Sequence, residues 1–465
     1  MTTVASSDRV DVLVVGARCA GASVAAHVAR AGASVVLLDA SALPSDQPMS
    51  THLIQPPGMS ELDRLGVGAR VRQLCPALTS ARFHFDDRHM DLRYDEGAAA
   101  HCLSREKLDV LLQDAAVAAG ADLQPETRVV GLLRDSTGRV CGAEVKRRNG
   151  RVDRLYARLV VGADGRGSTV ARLAGAAEYL GYDGPRASVW AYWKRPPGAD
   201  PATLYNVSDR DRSHVLFPTD DDRILIASAP PVSHLARWRG DHAAAYLADV
   251  RGCAPLARLL GDARPLGRVR VLSNARYFFR VSAGPGWALA GDAGHHKEFV
   301  IGLGISDALR DGSRLASAIV EGGDTALERY WRERDVARIE LYRWGQELGR
   351  DDRVNALERL VATRVAAAPE LAGRFSAVLS GELPPHELVP ARRVVPWLIA
   401  ALMSGDPWPV APMAAALRRT LRSRREKRER ETLAASVGEP RRSSVIGHAG
   451  TGLRGMGQAD GIEPA

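Results

Sequence analysis

The sequence predicts an α/β fold, with helices packed on a mostly parallel sheet. Three segments carry this prediction, because in each an apolar strand runs into a turn that contains glycine: residues 12–16, 159–165 and 287–294. Helical patterns follow two of these turns, one rich in alanine after Gly21 and one amphipathic over residues 305–320. Strands that alternate with helices in this way are typical of parallel sheets.

The first of these segments has the pattern of a dinucleotide-binding unit. Its strand breaks at Gly16, the turn reaches Gly21, and the next strand ends on an acid, Asp39. In such units the helix N-terminus binds a pyrophosphate and the acid accepts a hydrogen bond from an adenosine ribose. Asp39 follows Gly21 by 18 residues, close to the expected spacing of about 20. Arg18 replaces the middle glycine of G-x-G-x-x-G, and we expect its side chain to point outward or along the dinucleotide.

The rest of the chain predicts a second sheet and further helices. Runs of β-branched and aromatic residues indicate strands, whereas apolar residues at helical spacing indicate helices. The predicted elements are short strands at residues 83–85, 90–94, 189–193, 215–217 and 224–227, and helices at residues 58–65, 105–119 and much of 324–425.

The three glycine-containing turns, taken together, resemble the FAD-binding signature of the para-hydroxybenzoate hydroxylase class of flavoproteins. Their order and separations carry this resemblance, which extends over roughly residues 8–345. Three shorter motifs are similar to a bacterial branch grouped with the geranylgeranyl reductase-like oxidoreductases. They are GARCAG at residues 16–21, Ser50-Thr51-His52, and GDAGHHK at residues 291–297.

This resemblance implies a Rossmann-like FAD-binding domain of the glutathione reductase type, split in sequence by an inserted β-sheet domain for the substrate. The expected boundaries are a first FAD-binding part at residues 8–180, a substrate domain at 181–280 to which a hairpin at 81–102 contributes, a second FAD-binding part at 281–345, a helical region at 346–425 and a disordered tail at 426–465.

The resemblance also implies roles for individual residues around a non-covalently bound FAD. Asp292 would contact the ribityl chain, Arg105 the pyrophosphate, and residues 302–306 the N1–C2=O edge of the isoalloxazine. A helix that begins near Gly304 directs N–H groups and its positive dipole end at this edge, which becomes anionic when the flavin is reduced. The expected cofactor-binding residues are Gly16, Ala17, Arg18, Gly21, Asp39, Arg105, Val129, Asp164, Asp292, Gly302, Gly304 and Ile305.

Histidines near these motifs are the candidate catalytic residues. His52 and His296 are candidates for proton donors beside the flavin or for contacts to substrate, and the alternative is that they hydrogen-bond backbone in loops. The same two interpretations apply to His295 and Lys297, which belong to the third motif. Phe299 stands where many relatives carry a proline that faces the flavin.

Aromatic residues of the inserted sheet are candidates for the substrate wall. Trp190 and Tyr192 alternate onto one face of their strand, with Trp193 on the other, and Phe217 lies in a neighbouring strand. The alternative is that these side chains form only the core of the sheet. Cys19 follows the first turn at a helix N-terminus, where we expect the pKa of its thiol to fall.

Composition favours a cytoplasmic enzyme over a nucleic-acid-binding or membrane protein. Most of the net charge of +8 lies in residues 418–430, which hold eight Arg or Lys, two Glu and no aromatic residue for stacking on bases. The five cysteines are scattered, which indicates a reducing compartment. No metal-ligand spacing is present, and the apolar run at 394–403 is shorter than the roughly 20 residues that span a bilayer.

The function expected from the resemblance is that of an FAD-dependent monooxygenase. NADH or NADPH would reduce the flavin transiently, and O₂ would then oxidise a small organic substrate. The alternative is an FAD-dependent reductase of an unsaturated or prenyl compound. A halogenase is less favoured, because residues 190–194 read WAYWK rather than W-x-W-x-I-P. A partner-binding flavoprotein also stays open, and the expected assembly is a monomer or homodimer.

Overall fold

A mostly parallel sheet lies beside a mostly antiparallel one. The computed structural model describes residues 9–45, 50–85, 88–209, 212–238, 240–273, 275–349, 363–389 and 396–397. Helices and strands alternate along this part of the chain, so the predicted α/β class is confirmed. The described residues all fall within one compact unit, and the domain boundaries expected from the sequence stay a prediction.

Strands occupy most of the segments that the sequence indicated. They are β1 Arg9–Val15, β2 Val35–Leu38, β3 Leu53–Ile54, β4 Ala77–Leu78, β5 Ser80–Phe85, β6 Arg88–Arg93, β7 Ala100–Cys102, β8 Asp122–Gln124, β9 Thr127–Arg134, β10 Val140–Arg147, β11 Val152–Gly162, β12 Glu178–Asp183, β13 Ser188–Lys194, β14 Thr203–Asp209, β15 Arg212–Thr219, β16 Arg223–Ser228, β17 Pro265–Leu272, β18 Arg276–Arg280, β19 Ala283–Gly284, β20 Trp287–Leu289 and β21 His295–His296.

Helices follow the strands of the parallel sheet and also cover the antiparallel one. They are α1 Cys19–Arg30, α2 Pro56–Arg64, α3 Gly68–Leu74, α4 Arg105–Ala118, α5 Thr169–Ala174, α6 His242–Arg251, α7 Ala254–Leu260, α8 Gly304–Glu321, α9 Asp324–Leu348 and α10 Pro369–Leu379.

The first sheet has the strand order β19-β20-β11-β1-β2-β8. Strands β20, β11, β1, β2 and β8 run parallel, whereas β10 and β9 extend β11 as an antiparallel flap. Helices α1, α4 and α8 pack together beside this sheet. Because the central strands are covered, their apolar runs are buried, and Leu13, Val160 and Leu289 belong to one core cluster.

The second sheet has the order β17-β13-β16-β15-β14-β5-β6. The hairpin of β5 and β6 joins it through parallel pairing of β5 with β14. Trp193 points to one face of this sheet, where it packs with Tyr246 of α6, while Trp190 points to the other. The predicted alternation along this strand is therefore confirmed.

Helices also occupy part of the chain beyond residue 324. Helix α9 is 25 residues long, α10 follows, and a short 3₁₀ helix at Pro385–Glu387 lies where the sequence predicted a break. The expected continuation of helices toward residue 425 and the tail at 426–465 lie outside the described residues. None of the helices in the described ranges combines the length and apolar character needed to cross a bilayer.

Helices α1 and α8 approach closely because small residues line their contact. A Cβ atom on Gly312 of α8 would lie 2.2 Å from the Ser23 Oγ and 3.2 Å from the Val24 backbone nitrogen of α1. We therefore expect Gly312→Ala to lower the free energy of unfolding by about 1–3 kcal/mol, because the side chain overpacks this contact. Urea denaturation followed by circular dichroism measures the change.

Gly373→Ala is the matched control in another helix interior. Only the Asp95 Oδ1 lies within 4.0 Å of a Cβ atom at Gly373, so this variant should gain about 0.5–1 kcal/mol from the lower backbone entropy of alanine. Equal unfolding free energies for the two variants would show that the α1–α8 contact tolerates an extra methyl group.

Candidate functional site

A cleft of about 470 Å³ opens at the carboxyl edge of the parallel sheet. Strands β1, β2, β11 and β20 all end there, because parallel strands point the same way. Asp39, Asp164 and Asp292 follow three of these strands, and all three line the cleft. Ligand sites of open α/β sheets lie at this edge. The predicted cofactor residues that line it are Gly16, Arg18, Asp39, Arg105, Val129, Asp164, Asp292, Gly302, Gly304 and Ile305.

Two glycines, Gly16 and Gly21, allow the backbone of the first turn to pack tightly at the edge of the cleft. Gly16 has φ of 101°, and a Cβ atom there would lie 2.5 Å from the Ala163 carbonyl oxygen. A Cβ atom on Gly21 would lie 1.7 Å from the Gly16 carbonyl oxygen. Gly21 and Ala17 do not line the cleft themselves. Gly21 instead lets α1 begin directly behind the turn, which aims the helix N-terminus at the cleft.

Asp39 holds the turn and the following loop in place. Its Oδ2 accepts a hydrogen bond from the Ala17 backbone N–H at 2.9 Å, and its Oδ1 accepts one from the Ser41 N–H at 2.9 Å. A carboxylate oxygen has two lone pairs, so acceptor capacity is left for a ribose hydroxyl. The Arg18 guanidinium reaches across the loop and donates to the Ser45 Oγ at 3.2 Å.

Arg105 is buried at the start of α4 and pairs with Asp109 one turn later at 2.8 Å. Its side chain is about 8% exposed, and the residue lines the cleft. The Cys19 thiol donates to the Asp109 Oδ1 at 3.4 Å. Burial raises the pKa of the Cys19 thiol to about 12. The expected fall of this pKa is therefore wrong, because desolvation outweighs the helix N-terminus and the nearby Arg105.

The two acids on the far side of the cleft differ in their surroundings. Asp164 accepts hydrogen bonds from the Ser168 hydroxyl at 2.5 Å and from the Thr169 N–H at 2.7 Å, so it is tied to the start of α5. Burial raises its pKa. Asp292 keeps 46% of its side chain exposed, and its Oδ2 lies 3.9 Å from the His296 Nε2. Asp292 therefore has the more accessible carboxylate for a ligand hydroxyl.

The start of α8 forms the opposite end of the cleft. Gly302 has φ of 64°, and a Cβ atom there would lie 2.9 Å from the Leu53 side chain. No side chain caps α8 or α1 in the described part of the chain. Helices of 18 and 12 residues thus direct uncapped N-termini into one cleft. This donor set fits a ligand with a pyrophosphate and a second anionic group, as in a reduced flavin dinucleotide.

Lys297 lines the cleft and joins His295 in a network of buried polar side chains. The Lys297 Nζ donates to the His295 Nδ1 at 2.9 Å and pairs with Asp307 of α8 at 2.7 Å. The His295 Nε2 lies 3.0 Å from the Asp311 Oδ2, which also accepts from the Gly291 backbone N–H at 3.0 Å. Burial and the Lys297 ammonium lower the pKa of His295. These contacts favour a structural role, because they fasten the Gly291 turn to α8.

The two candidate catalytic histidines lie in different places. His296 lines the cleft, and its Nδ1 donates to the Arg276 carbonyl oxygen at 2.8 Å. His52 is fully buried, with φ of 63°, and its Nε2 lies 2.5 Å from the Tyr192 Oη. Thr51 and Leu53 line the cleft on either side of it, but His52 itself does not. Burial lowers the pKa of His52 to about 3, so the imidazole is neutral.

The candidate substrate residues lie behind the part of the cleft wall that Thr51 and Leu53 form. The Trp190 and Tyr192 rings are 5.3 Å apart, and the His52 ring meets the edge of Trp190 at 5.2 Å. Trp190 and Phe217 are 1% and 4% exposed and share an apolar cluster with Leu53. None of the three predicted substrate residues lines the cleft. They belong to the apolar core on the face of the second sheet that also packs against Leu53 of the cleft wall.

Sequence reasoning missed three acids around the cleft. Asp307 and Asp311 are one turn apart on α8 and lie on its buried face, and Glu298 is 2% exposed on the cleft wall. The i, i+4 spacing of Asp307 and Asp311, which continues to the apolar residue Leu315, was the available signal for the first two. Glu298 had none, because its burial depends on residues distant in sequence.

The chain is similar to known proteins in sequence and in fold. The family model described as an FAD binding domain matches residues 9–343. The menaquinone reductase of Mycolicibacterium smegmatis is 30% identical over 343 residues, covering 70% of this chain and 79% of that protein. The digeranylgeranylglycerophospholipid reductase of Methanocella arvoryzae is 28% identical over 338 residues, covering 69% and 81%.

A solved structure shares the fold at lower sequence identity. Aklavinone-11 hydroxylase, in a ternary complex with FAD and aklavinone, superposes with a TM-score of 0.58. It is 21% identical, and the match covers 72% of this chain and 68% of that one. At this identity the likeness shows the fold alone.

Because its carboxylate is exposed in the cleft, we expect Asp292 to contribute measurably to the affinity for FAD. Asp292→Ala should weaken FAD binding by about 1.5–3 kcal/mol, because a charge-assisted hydrogen bond to a ligand hydroxyl is lost. Titration of apoprotein with FAD, followed by flavin fluorescence, gives the dissociation constant. Asp262→Ala is the control, since Asp262 is exposed and outside the cleft. Equal affinities in both variants would remove Asp292 from the binding site.

Proposed function

The chain belongs to the FAD binding domain family of flavoproteins, and we propose that it is an FAD-dependent reductase of an apolar substrate with an isoprenoid chain. The observation that carries this proposal is an apolar patch of Leu53, Phe299 and Ile301 on the cleft wall, at the end where the flavin is expected. Two relatives that match about 70% of the chain are named as reductases of menaquinone and of a digeranylgeranyl glycerophospholipid. Both of these compounds carry isoprenoid chains.

The apolar end of the cleft continues into two buried clusters. Leu53, Phe299 and Ile301 line the cleft. Leu53 also packs in the cluster of the second sheet that contains Trp190, and Ile301 packs with Leu341 of α9. Each CH₂ group of a substrate that leaves water for such a surface contributes about 0.8 kcal/mol. An isoprenoid chain therefore has a favourable surface beside the expected flavin position.

Polar and charged residues also line this end of the cleft, among them Thr51, Lys297 and Glu298. Bound FAD supplies the two-electron chemistry. The uncapped N-terminus of α8 stabilises negative charge at the flavin edge. His52 is neutral and shares a hydrogen bond with Tyr192 Oη, so this side chain adds no positive charge behind Thr51 and Leu53. NADH or NADPH is the proposed reductant, binding transiently as in the class that the motifs resemble.

An FAD-dependent monooxygenase that uses O₂ is the second candidate. The order of the three glycine-containing turns favours it, because this order resembles the para-hydroxybenzoate hydroxylase class. Phe299 counts against it. This residue replaces the proline that many relatives place at the flavin, and it lines the cleft while it packs against the cluster that contains Tyr277.

Anaerobic turnover separates the two candidates. We expect NADH or NADPH to bleach the bound flavin, and a menaquinone or another polyprenyl compound then to restore its absorbance without oxygen. Mass spectrometry should find a product with two added hydrogen atoms. If the flavin stays reduced until oxygen is admitted, and the product gains an oxygen atom, the protein is a monooxygenase and the proposal is wrong.

A further inference from the structure

Glu298 is a buried acid on the wall of the cofactor cleft. It is 2% exposed and lies between Lys297 and Phe299, on the segment that leads from the Gly291 turn to α8. Neither carboxyl oxygen has a hydrogen-bond partner of good geometry within the described residues. A buried carboxylate without such partners is costly, whereas the neutral acid is tolerated. The residue is therefore placed to hold a proton.

The surrounding elements leave room for this carboxyl group. A Cβ atom on Gly349 would lie 2.6 Å from the Glu298 Oε1, and one on Gly345 would lie 3.2 Å from the Glu298 Cβ. Two glycines at the end of α9 thus make the space that the side chain fills. The Tyr277 hydroxyl faces the Glu298 carboxyl group, the Tyr182 hydroxyl feels the charge of Glu298, and both hydroxyls are buried.

The charged and titratable groups that face Glu298 come from several elements. Tyr182 of β12, Tyr277 of β18 and Tyr342 of α9 all feel its charge, and Arg186 lies before β13. Burial raises the pKa of Glu298 to about 7, while the Tyr277 hydroxyl and the Arg186 guanidinium lower it in part. Glu298 is therefore divided between its two protonation states near neutral pH.

We propose that Glu298 takes up one proton from solvent when the cofactor in the adjacent cleft gains negative charge. A hydride from the nicotinamide adds two electrons and one negative charge to the cleft. Protonation of the Glu298 carboxylate to the carboxylic acid removes one negative charge, so the net charge is restored. The cause is Coulombic, because a new like charge nearby raises the pKa of a carboxyl group. Glu298 thus affects the flavin electrostatically, through its own charge, and is a positioning residue.

The midpoint potential of the bound flavin, measured against pH, tests this proposal. In the wild-type holoenzyme the potential should fall more steeply with pH over a window that starts near neutrality, because reduction there takes up an extra proton. In Glu298→Gln the steeper segment should be absent, since the amide does not titrate. The control Glu321→Gln, at an exposed ion pair of α8 with Arg329, should keep the wild-type profile.

If the Glu298→Gln variant does not bind FAD, the Tyr277→Phe variant tests the proposal instead. Loss of the hydroxyl that stabilises the carboxylate raises the pKa of Glu298, so the steeper segment should start at higher pH. A wild-type profile in Glu298→Gln, or an unmoved segment in Tyr277→Phe, would overturn the proposal. The titration uses neither substrate nor oxygen, so its outcome is independent of whether the protein is a reductase or a monooxygenase.

Discussion

The close packing of α1 against α8 is the constraint on which the cleft depends. The two helices start from opposite ends of the site and must meet for both N-termini to open into it. A Cβ atom on Gly291 would lie 2.8 Å from that of Ala20, and one on Gly312 would lie 2.2 Å from the Ser23 Oγ. Larger residues at these glycines would separate the helices. The two positive helix ends would then no longer face one ligand.

Buried charged residues connect the Gly291 turn to α8 and so fix the geometry of the cleft. Asp311 of α8 accepts from the Gly291 N–H and binds His295, and Lys297 pairs with Asp307. Buried ion pairs add little net stability, because desolvation offsets their attraction. Their removal is costly, however, since it leaves a buried partner uncompensated. In this protein they fix the turn that carries Asp292 relative to the helix that begins at Gly304.

Local patterns predicted the elements that form the cleft, and distant contacts decided what fills its walls. The strand at 35–38, the turns at Gly16 and Gly302 and the helix over 305–320 follow from short-range periodicity and glycine placement. The position of His52 does not. It depends on Tyr192 and Trp190, which are about 140 residues away in sequence, so the candidate proton donor lies behind the cleft wall instead of in it. The thiol of Cys19 was judged from its helix position, whereas burial beside Asp109 decides its pKa.

The identity of the cofactor tests most directly whether the whole carboxyl edge is one binding site. Asp39 and Gly302 lie at different ends of the cleft, and a single ligand meets both only if it contains an adenosine as well as a flavin. Chromatography of the chromophore released from reconstituted, denatured protein should therefore yield FAD in amounts equimolar with the chain. Recovery of FMN, or of no flavin, would contradict a dinucleotide site between Asp39 and Gly302.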